Sequence, residues 1–316
     1  MARQLRDGQR AELWVIDVDT AAATLRYSSD TLLFEAPNWS PDGATLLLNG
    51  DGRLFRLGVD AGELEEIALG GVGEINNDHV ISPDGSTAYV SGEDGHIHAV
   101  PLDASQDDAG PAHAGARRVT NHHGDRFRHY LHGISPDGQV LAYIGLSVDG
   151  AGMVRTNVHT IPADGGPDAQ LTDDHFPDDG AEFSPDGQWI YFNSERGSTK
   201  PGHAQLFRLP AGGGTPEQLT FDERVNWFPH PSPEGTRIAY VSFPQGTLGH
   251  PEDVDVVVRL IEADGRRRDL AHVFGGQGTM NVPSWDPAGR RIAIVAYPLA
   301  GSTAGVTVAE TVVEKG

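Results

Sequence analysis

The chain has 316 residues, no cysteine and a formal net charge of −22, with 45 acidic residues against 23 basic ones. This acidic balance argues against nucleic acid and anionic membranes as partners, because both repel a strongly negative protein. The absence of cysteine excludes disulfide bonds and thiol chemistry. No apolar run in the sequence approaches the length that crosses a bilayer.

The N-terminal residues 1–8 contain no apolar signal core. We therefore expect a cytoplasmic protein that does not insert into a membrane. A periplasmic or secreted location would follow if a leader had been removed.

Two strands are predicted at the start of the chain, over residues 12–18 and 24–27. They read as the third and fourth strands of a sheet, and no earlier segment could supply its inner strands. We therefore expect them to complete a sheet whose inner strands come from the other end of the chain.

The tetrapeptide Ser-Pro-Asp-Gly then recurs along the chain. It occurs at residues 40–43, 82–85, 135–138 and 184–187, and variants of it occur at 232–235 and 286–289. The proline presets φ, the acidic residue caps the turn, and the glycine supplies a positive φ. Successive copies start 42, 53, 49, 48 and 54 residues apart. Repeats of about 40–50 residues built from short strands are typical of a β-propeller.

Each repeat contains four predicted strands, which is one propeller blade. We therefore predict a single all-β domain over residues 1–316, a six-bladed β-propeller with four-stranded blades. The N-terminal strands should join the last blade and close the ring, and the tail from residue 305 to 313 follows that blade's second strand. Closure of this kind removes exposed sheet edges.

Polar residues cluster on the predicted inner strands, just before each turn. His79 and His132 stand three residues before the turn serine, and Glu182 and His230 stand two residues before it. These four are the predicted catalytic residues and the predicted ligands of a divalent metal such as manganese, calcium or zinc. Without a metal they would supply a general base and acid. Because side chains alternate along a strand, the two registers converge only if the strands are bulged or twisted.

A wider set of polar and aromatic residues is predicted to bind the ligand. These residues are Asn77, Asp78, Arg128, Asp179, Arg196, Asn226, Trp227, Gln277 and Asn281. Long connections at residues 195–203 and 244–253, the second containing His250, open on the face where the inner strands begin and favour a site there. The alternative is structural, since polar channel residues often bond only to carbonyls and ordered water.

The repeat Trp-Ser-Pro-Asp-Gly is followed by an apolar strand, a strand such as Gln-Leu-Phe-Arg-Leu at 205–209, and a Gly-Gly turn with Gln-Leu-Thr. This pattern resembles the propeller repeat of TolB proteins. Segments 76–79, 226–233 and 274–281 look like those of a stand-alone TolB-like group. A more distant similarity is to oligogalacturonate lyase, which implies manganese held by histidines and a glutamine at the channel mouth, where Gln277 has a comparable place.

Two functional hypotheses follow. In the first, the propeller binds a small polar ligand, such as an oligosaccharide, at the channel mouth and acts on it by elimination or hydrolysis, with or without a metal. In the second, which the TolB resemblance implies, it is a non-catalytic scaffold for a peptide or protein partner. Neither Gly-X-Ser-X-Gly nor His-Glu-X-X-His occurs in the chain, so neither motif supports a serine hydrolase or a zinc protease.

Overall fold

The computed structural model describes residues 3–60, 62–102, 115–301 and 305–309. Its 24 strands form six antiparallel sheets that follow one another around a central channel. The predicted all-β, six-bladed propeller is confirmed. Within the described ranges, no helix is long and apolar enough to cross a membrane.

The N-terminal strands close the ring in the sixth blade. Strand β1 (Ala11–Asp17) pairs with β23 (Arg291–Ala296) on its inner side and with β2 (Ala23–Ser29) on its outer side. Amides of β23 donate hydrogen bonds to carbonyls of residues 279–285, which take the innermost position without forming a regular strand. The predicted closure is thus confirmed, with three regular strands in this blade.

Each of the first four blades has four strands, as predicted. The first contains β3 (Glu35–Trp39), β4 (Thr45–Gly50), β5 (Arg53–Gly58) and β6 (Glu65–Ile67). The second contains β7 (Ile75–Ile81), β8 (Thr87–Gly92), β9 (Ile97–Pro101) and β10 (Arg117–Arg118). The third contains β11 (Phe127–Ile134), β12 (Val140–Val148), β13 (Val154–Pro162) and β14 (Ala169–Gln170). The fourth contains β15 (Asp178–Phe183), β16 (Trp189–Ser194), β17 (Gln205–Pro210) and β18 (Glu217–Gln218).

The fifth blade is the widest. It contains β19 (Val225–Pro231), β20 (Ile238–Phe243), β21 (Glu252–Ile261), β22 (Arg267–Gly276) and β24 (Val306–Val308). Strand β24 pairs with the outer edge of β22. The described part of the C-terminal tail therefore extends the fifth blade, and residues 310–313 of the predicted tail lie outside the described residues.

The Ser-Pro-Asp-Gly turns are held by their own side chains. Ser135 Oγ donates to Asp137 Oδ1 at 2.6 Å, and Gly138 has a φ of +72°. The other three Ser-Pro-Asp-Gly copies repeat the serine–aspartate bond at 2.5–2.6 Å. The turn chemistry predicted from the sequence is therefore present at the end of the channel where the inner strands finish, which we call the turn end.

The turns of neighbouring blades also interlock. A Cβ atom placed on Gly138 would lie 3.3 Å from Cδ of Pro83 in the preceding turn. The same contact joins the last blade to the first, because a Cβ on Gly43 would lie 3.5 Å from Cδ of Pro287. The glycine is thus required both for its backbone conformation and for close approach of the next blade.

Apolar side chains of the second and third strands pack between blades. Ile144 of β12 lies in one cluster with Ile190 and Phe192 of β16. Leu13 of β1 lies in one cluster with Leu46 of β4, which is the contact that closes the ring. Each such side chain contributes about 1.5–3 kcal/mol through burial, so the interfaces between blades hold the architecture together.

The regular inner strands are bulged. In β11, Leu131 pairs with Tyr143 and Gly133 pairs with Ala142, which leaves His132 without a partner. A bulged residue leaves the strict alternation of the strand and re-aims its side chain. A bulge of this kind was expected from the sequence, because the two registers of polar residues could converge only if the inner strands were bulged or twisted.

The bulges differ from blade to blade. In β7, residues 76–78 are bulged and His79 resumes the regular pairing. In β3, β15 and β19 the bulge contains a residue with left-handed backbone, namely Ala36 (φ +52°), Gly180 (φ +70°) and Phe228 (φ +55°). This conformation is costly for a bulky residue such as Phe228, so β19 stores backbone strain beside the channel.

Candidate functional site

A cavity of about 540 Å³ opens at the end of the channel where the inner strands begin. We call it the mouth cavity, and its size is typical of a small-molecule site. Seven of the predicted site residues line it: Asn77, Asp78, His132, Asp179, Trp227, Gln277 and Asn281.

Asp179 forms the polar centre of the mouth cavity. Its Oδ1 accepts hydrogen bonds from His132 Nε2 at 2.9 Å and from the Gly180 amide at 2.8 Å, and its Oδ2 lies 3.6 Å from His250 Nε2. Burial raises the pKa of Asp179, but the hydrogen bond from His132 and the nearby imidazole of His250 outweigh burial and hold this pKa well below its usual range. Asp179 is therefore an ionised carboxylate held between two imidazoles.

His132 is the bulged residue of β11. Burial lowers its pKa, but the carboxylates of Asp78 and Asp179 outweigh burial and raise the pKa of His132 to about 9. Its Nδ1 donates to the Asn281 carbonyl at 3.3 Å. The ring is thus an imidazolium at neutral pH, with both nitrogens acting as donors.

His250 reaches the cavity from the connection between β20 and β21. Its Nδ1 donates to Gln277 Oε1, and its ring meets Trp227 edge-on with centroids 4.5 Å apart. Burial lowers the pKa of His250, but its bonds to Asp179 and Gln277 outweigh burial and raise that pKa. A second imidazole with a raised pKa therefore faces the same carboxylate.

Asp78 is the second carboxyl group of the cavity. It is 5% exposed, and its Oδ2 accepts from Asn76 Nδ2 at 2.7 Å. Burial raises the pKa of Asp78, and nearby His132 offsets only part of that effect. A carboxyl group with a raised pKa beside an imidazolium is the combination that acid–base sites use.

One wall of the cavity is aromatic, formed by Tyr130, Trp227 and Phe228. Trp227 Nε1 is buried without a hydrogen-bond partner among the described residues. The Phe228 amide donates to Asn193 Oδ1 at 3.0 Å, which anchors the left-handed backbone of the β19 bulge. Aromatic faces opposite polar groups suit a ligand with an apolar face and polar edges.

Glu182 and His230 lie together, but at the turn end. Glu182 Oε2 lies 2.5 Å from His230 Nδ1, and His230 Nε2 donates to the Met280 carbonyl at 3.1 Å. Glu182 lines a separate cavity of about 190 Å³ with residues that directly precede the turns, including Trp39 and Trp285. Glu182 and His230, which share one register, are therefore brought together, but they bond to each other and lie away from the mouth cavity.

His79 lines neither cavity. Its side chain is fully buried, and neither ring nitrogen has a hydrogen-bond partner within the described structure. Burial lowers the pKa of His79 to about 4, a shift that backbone groups of Leu47 and Asn77 only partly oppose. His79 follows the bulge and pairs regularly with Val90, whereas His132 lies in its bulge. Two residues at the same distance from the turn therefore do not direct their side chains the same way.

Three predicted ligand-binding residues bond to neighbouring protein groups instead. Arg196 Nη2 donates to both carboxylate oxygens of Asp178 at 2.7 and 2.8 Å, so it supports the cavity wall through that residue. Arg128 is exposed and donates to a backbone carbonyl. Asn226 is fully buried and accepts from Ser242 Oγ at 2.7 Å.

The four predicted metal ligands do not converge on one point. The described residues contain one group of three donors within 4.8 Å of one another, and it lies on the third blade, outside the mouth cavity. In the mouth cavity, His132 and His250 are directed at Asp179 instead. The residues of the mouth cavity do not fit the manganese site that the lyase resemblance implied.

Asn76, Tyr130 and His250 are among the lining residues that were not predicted as site residues. The signal for His250 was the length of its connection, and the signal for Asn76 was the polar run before His79. Tyr130 lies on the predicted inner strand of the third blade, close to the bulge at His132, but its residue type did not mark it as a site residue.

Comparison with known proteins agrees with this architecture. The family described as TolB beta propeller domain matches residues 113–250. An uncharacterised protein of Agrobacterium fabrum is 39% identical over 268 residues, which is 84% of this chain and 85% of that protein.

Solved structures extend the comparison. A protein of Agrobacterium tumefaciens described as a TolB candidate is 35% identical, with a TM-score of 0.80 over 92% of this chain and 99% of that chain. An oligogalacturonate lyase in complex with manganese is 15% identical, with a TM-score of 0.55 over 86% of this chain and 75% of that chain, and shares the fold alone. The chain belongs to the TolB-like family of β-propeller proteins.

Proposed function

We propose that the mouth cavity binds a small polar ligand of the carbohydrate class and acts on it by acid–base chemistry, as an elimination or a hydrolysis. The observation that carries the proposal is the position of Asp179, which is hydrogen-bonded to His132 and lies 3.6 Å from His250, beside a second buried carboxyl group, Asp78. An ion pair that only stabilises a fold needs two charges. Here four titratable groups meet in one open cavity, which is typical of a functional site.

The lining supports a carbohydrate as the ligand class. Asn77, Gln277 and Asn281 offer amide groups for hydroxyls, while Trp227 and Phe228 offer an apolar surface for the carbon face of a sugar ring.

The proposed roles follow from the pKa directions. Asp78 is the base, since a carboxyl group with a raised pKa accepts a proton more readily. His132 is the acid: its Nε2 proton, held by Asp179 in the free protein, passes to the leaving oxygen when the ligand displaces that contact, and its Nδ1 bond to the Asn281 carbonyl keeps the ring in orientation. Asp179 is a positioning residue. In an elimination Asp78 removes the proton next to the sugar carboxylate, and in a hydrolysis it activates a water molecule.

The test is a screen of uronate and neutral oligosaccharides by isothermal titration calorimetry and by product analysis. Ultraviolet absorbance of a new carbon–carbon double bond identifies elimination, and new reducing ends without that absorbance identify hydrolysis. Loss of a positioned acid or base costs about 10²–10⁴-fold in rate, so Asp78→Asn and His132→Asn should each lose that much.

Matched controls are available on the outer strands of the fifth blade and the turn between them. Asp264→Asn and His272→Asn make the same chemical changes at exposed positions and should leave binding and turnover unchanged. The proposal fails if no oligosaccharide binds, or if Asp78→Asn and His132→Asn retain the activity of the controls.

A second candidate function is a non-catalytic scaffold that binds a protein or peptide on the face of the mouth cavity. The connections on this face carry apolar side chains that stay in solvent, with Phe221 and Leu248 each 70% exposed and Met153 63% exposed. Exposed apolar residues on one face favour a partner surface. Recovery of a stoichiometric partner that Leu248→Ser abolishes and Asp78→Asn leaves intact would favour this function over the first.

Neither candidate function depends on the cellular compartment. The cytoplasmic location stays a prediction from the sequence. Fractionation of cells, followed by detection of the full chain in each fraction, tests it.

A further inference from the structure

A second group of polar side chains lies on the third blade, outside the mouth cavity. His123 precedes β11, His129 lies on β11, and Asp168 lies in the connection between β13 and β14. Their nitrogen and oxygen donor atoms all lie within 4.8 Å of one another. None of the three lines the mouth cavity.

His129 presents a free nitrogen to this group. It is 1% exposed, and its Nδ1 donates to the Gly95 carbonyl of the second blade at 2.7 Å. That bond places the proton on Nδ1 and leaves the lone pair on Nε2. The Nε2 atom is buried and has no hydrogen-bond partner within the described structure. A histidine fixed by a backbone carbonyl at one nitrogen and free at the other is the arrangement that metal sites use.

Asp168 is held in orientation by neighbouring donors. Its Oδ2 accepts from Tyr143 Oη at 2.9 Å and also faces His123 Nε2, while its Oδ1 accepts from Asn121 Nδ2. Carboxylate ligands of metals are commonly oriented by hydrogen bonds of this kind. The Tyr143 and Asn121 side chains would act as outer-shell donors to a ligating Asp168.

Aromatic rings enclose His129 on its other sides. Its ring centroid lies 4.8 Å from that of Phe127, 5.1 Å from that of Tyr143 and 5.5 Å from that of His96. The side chain of His123 is 38% exposed and that of Asp168 is 8% exposed. The group is therefore rigid and dry at its base, with access for an ion from the His123 side.

We propose that His123, His129 and Asp168 form a binding site for a divalent transition metal ion of the zinc class. Two imidazoles and one carboxylate suit zinc and its neighbours, whereas calcium and magnesium prefer oxygen ligands. Three protein ligands leave a fourth position for water. The bound ion takes the place of the direct contact between His123 and Asp168, and it ties the segment before β11 to the connection between β13 and β14.

The experiment uses the full chain without a histidine tag, freed of metal by a chelator and titrated with ZnCl₂ in a calorimeter. One ion per chain is expected at this site. His123→Ala and Asp168→Asn should each weaken the zinc Kd at least about tenfold, because even outer-shell changes cost 10–100-fold. Tyr143→Phe removes only the hydroxyl group that orients Asp168, and it should weaken zinc binding about tenfold.

His122→Ala is the matched control, because His122 is the adjacent histidine and its side chain is 58% exposed. It should leave the zinc Kd unchanged. Circular dichroism of each variant confirms that the propeller is folded, and His123 is exposed enough for His123→Ala to fold. The proposal is overturned if the wild-type chain binds no zinc, or if His123→Ala and Asp168→Asn bind it as tightly as His122→Ala.

Discussion

The two ends of the channel are formed by the same inner strands but differ in how far the blades repeat one another. At the turn end, four turns use the same serine, aspartate and glycine in the same geometry, and the other two are variants of that sequence. At the mouth cavity the second to sixth blades each contribute something different, for example a histidine from β11, an aspartate from β15 and a tryptophan from β19. The repeated end specifies the fold, and the departures from the repeat form the candidate site.

The largest loss of stability is expected at a buried ion-pair cluster around Arg3, which lies on the mouth side and is not repeated in the described residues of the other blades. Arg3 donates to the Gln277 carbonyl at 2.6 Å and lies 3.3 Å from Glu35 and 3.0 Å from Asp253. All three charged side chains are nearly buried, so Arg3→Ala leaves the Glu35 carboxylate without its cation and leaves Asp253 paired only with the exposed Arg6. Loss of one partner from a buried ion pair costs about 3–5 kcal/mol, measured as the free energy of unfolding in urea.

Arg6→Ala is the control for this change. Arg6 lies 2.7 Å from Asp253, but its side chain is 59% exposed, so its loss should cost about 0–1 kcal/mol. Equal losses for Arg3→Ala and Arg6→Ala would show that the buried cluster does not join the N-terminus to the ring.

The second prediction compares two histidines of equal register. His132 has its pKa raised from 6.5 to about 9 in the folded protein, so its stabilisation is complete below pH 6.5 and is lost as the pH rises through 9. His79 has its pKa lowered from 6.5 to about 4, so it destabilises the fold as the pH falls from 6.5 toward 4.

Unfolding free energies of His132→Asn and His79→Asn across this pH range test both signs. His132→Asn should lose about 3 kcal/mol at neutral pH, and this loss should vanish toward pH 9 and above. His79→Asn should instead remove part of the loss of stability below pH 6.5. If the unfolding free energies of the two variants changed in parallel with pH, His132 and His79 would not have the different environments that the structure gives them.

The third prediction concerns the interlocked turns. Gly138 and Gly246 both have positive φ, +72° and +83°, but only Gly138 has a neighbouring blade against it. Gly246→Ala should cost about 1 kcal/mol for the left-handed backbone. Gly138→Ala should cost about 2–3 kcal/mol, because the new methyl group also displaces Pro83. Thermal unfolding of both variants measures the difference, and equal values would mean that the turns do not interlock.

The smallest effect tests whether the turns are equivalent. Ser82 and Ser135 each donate to the turn aspartate at 2.6 Å. Replacing either by alanine should cost about 1 kcal/mol, and the two losses should agree within about 0.5 kcal/mol. A large difference between Ser82→Ala and Ser135→Ala in urea unfolding would show that the repeat is less regular than its turns suggest.

The contrast between the two ends of the channel explains which parts of the fold and of the site could be predicted from the sequence. The turn tetrapeptide predicted the six blades, and the unpaired strands at 12–18 and 24–27 predicted the closure, because both depend on local chemistry that repeats. Seven residues of the mouth cavity were also predicted, since polar residues on inner strands stand out against the apolar pattern.

The remaining parts of the site depend on the bulges. Residue spacing placed His79 and His132 in one register, but only His132 lies in a bulge and faces the channel. The left-handed backbone of Phe228 has no sequence signal, because glycine is the usual residue there. His250 reaches Asp179 from a long connection, and such tertiary contacts are not encoded in any local pattern.

The most direct test of this account is a pH titration of His132 and His79 by ¹⁵N NMR in one sample. The structure predicts that the His132 ring stays protonated until the pH approaches 9 and that the His79 ring stays neutral until the pH falls toward 4. If both rings titrate near the ordinary value of 6.5, the bulge does not separate their environments and the proposed site at the channel mouth is wrong.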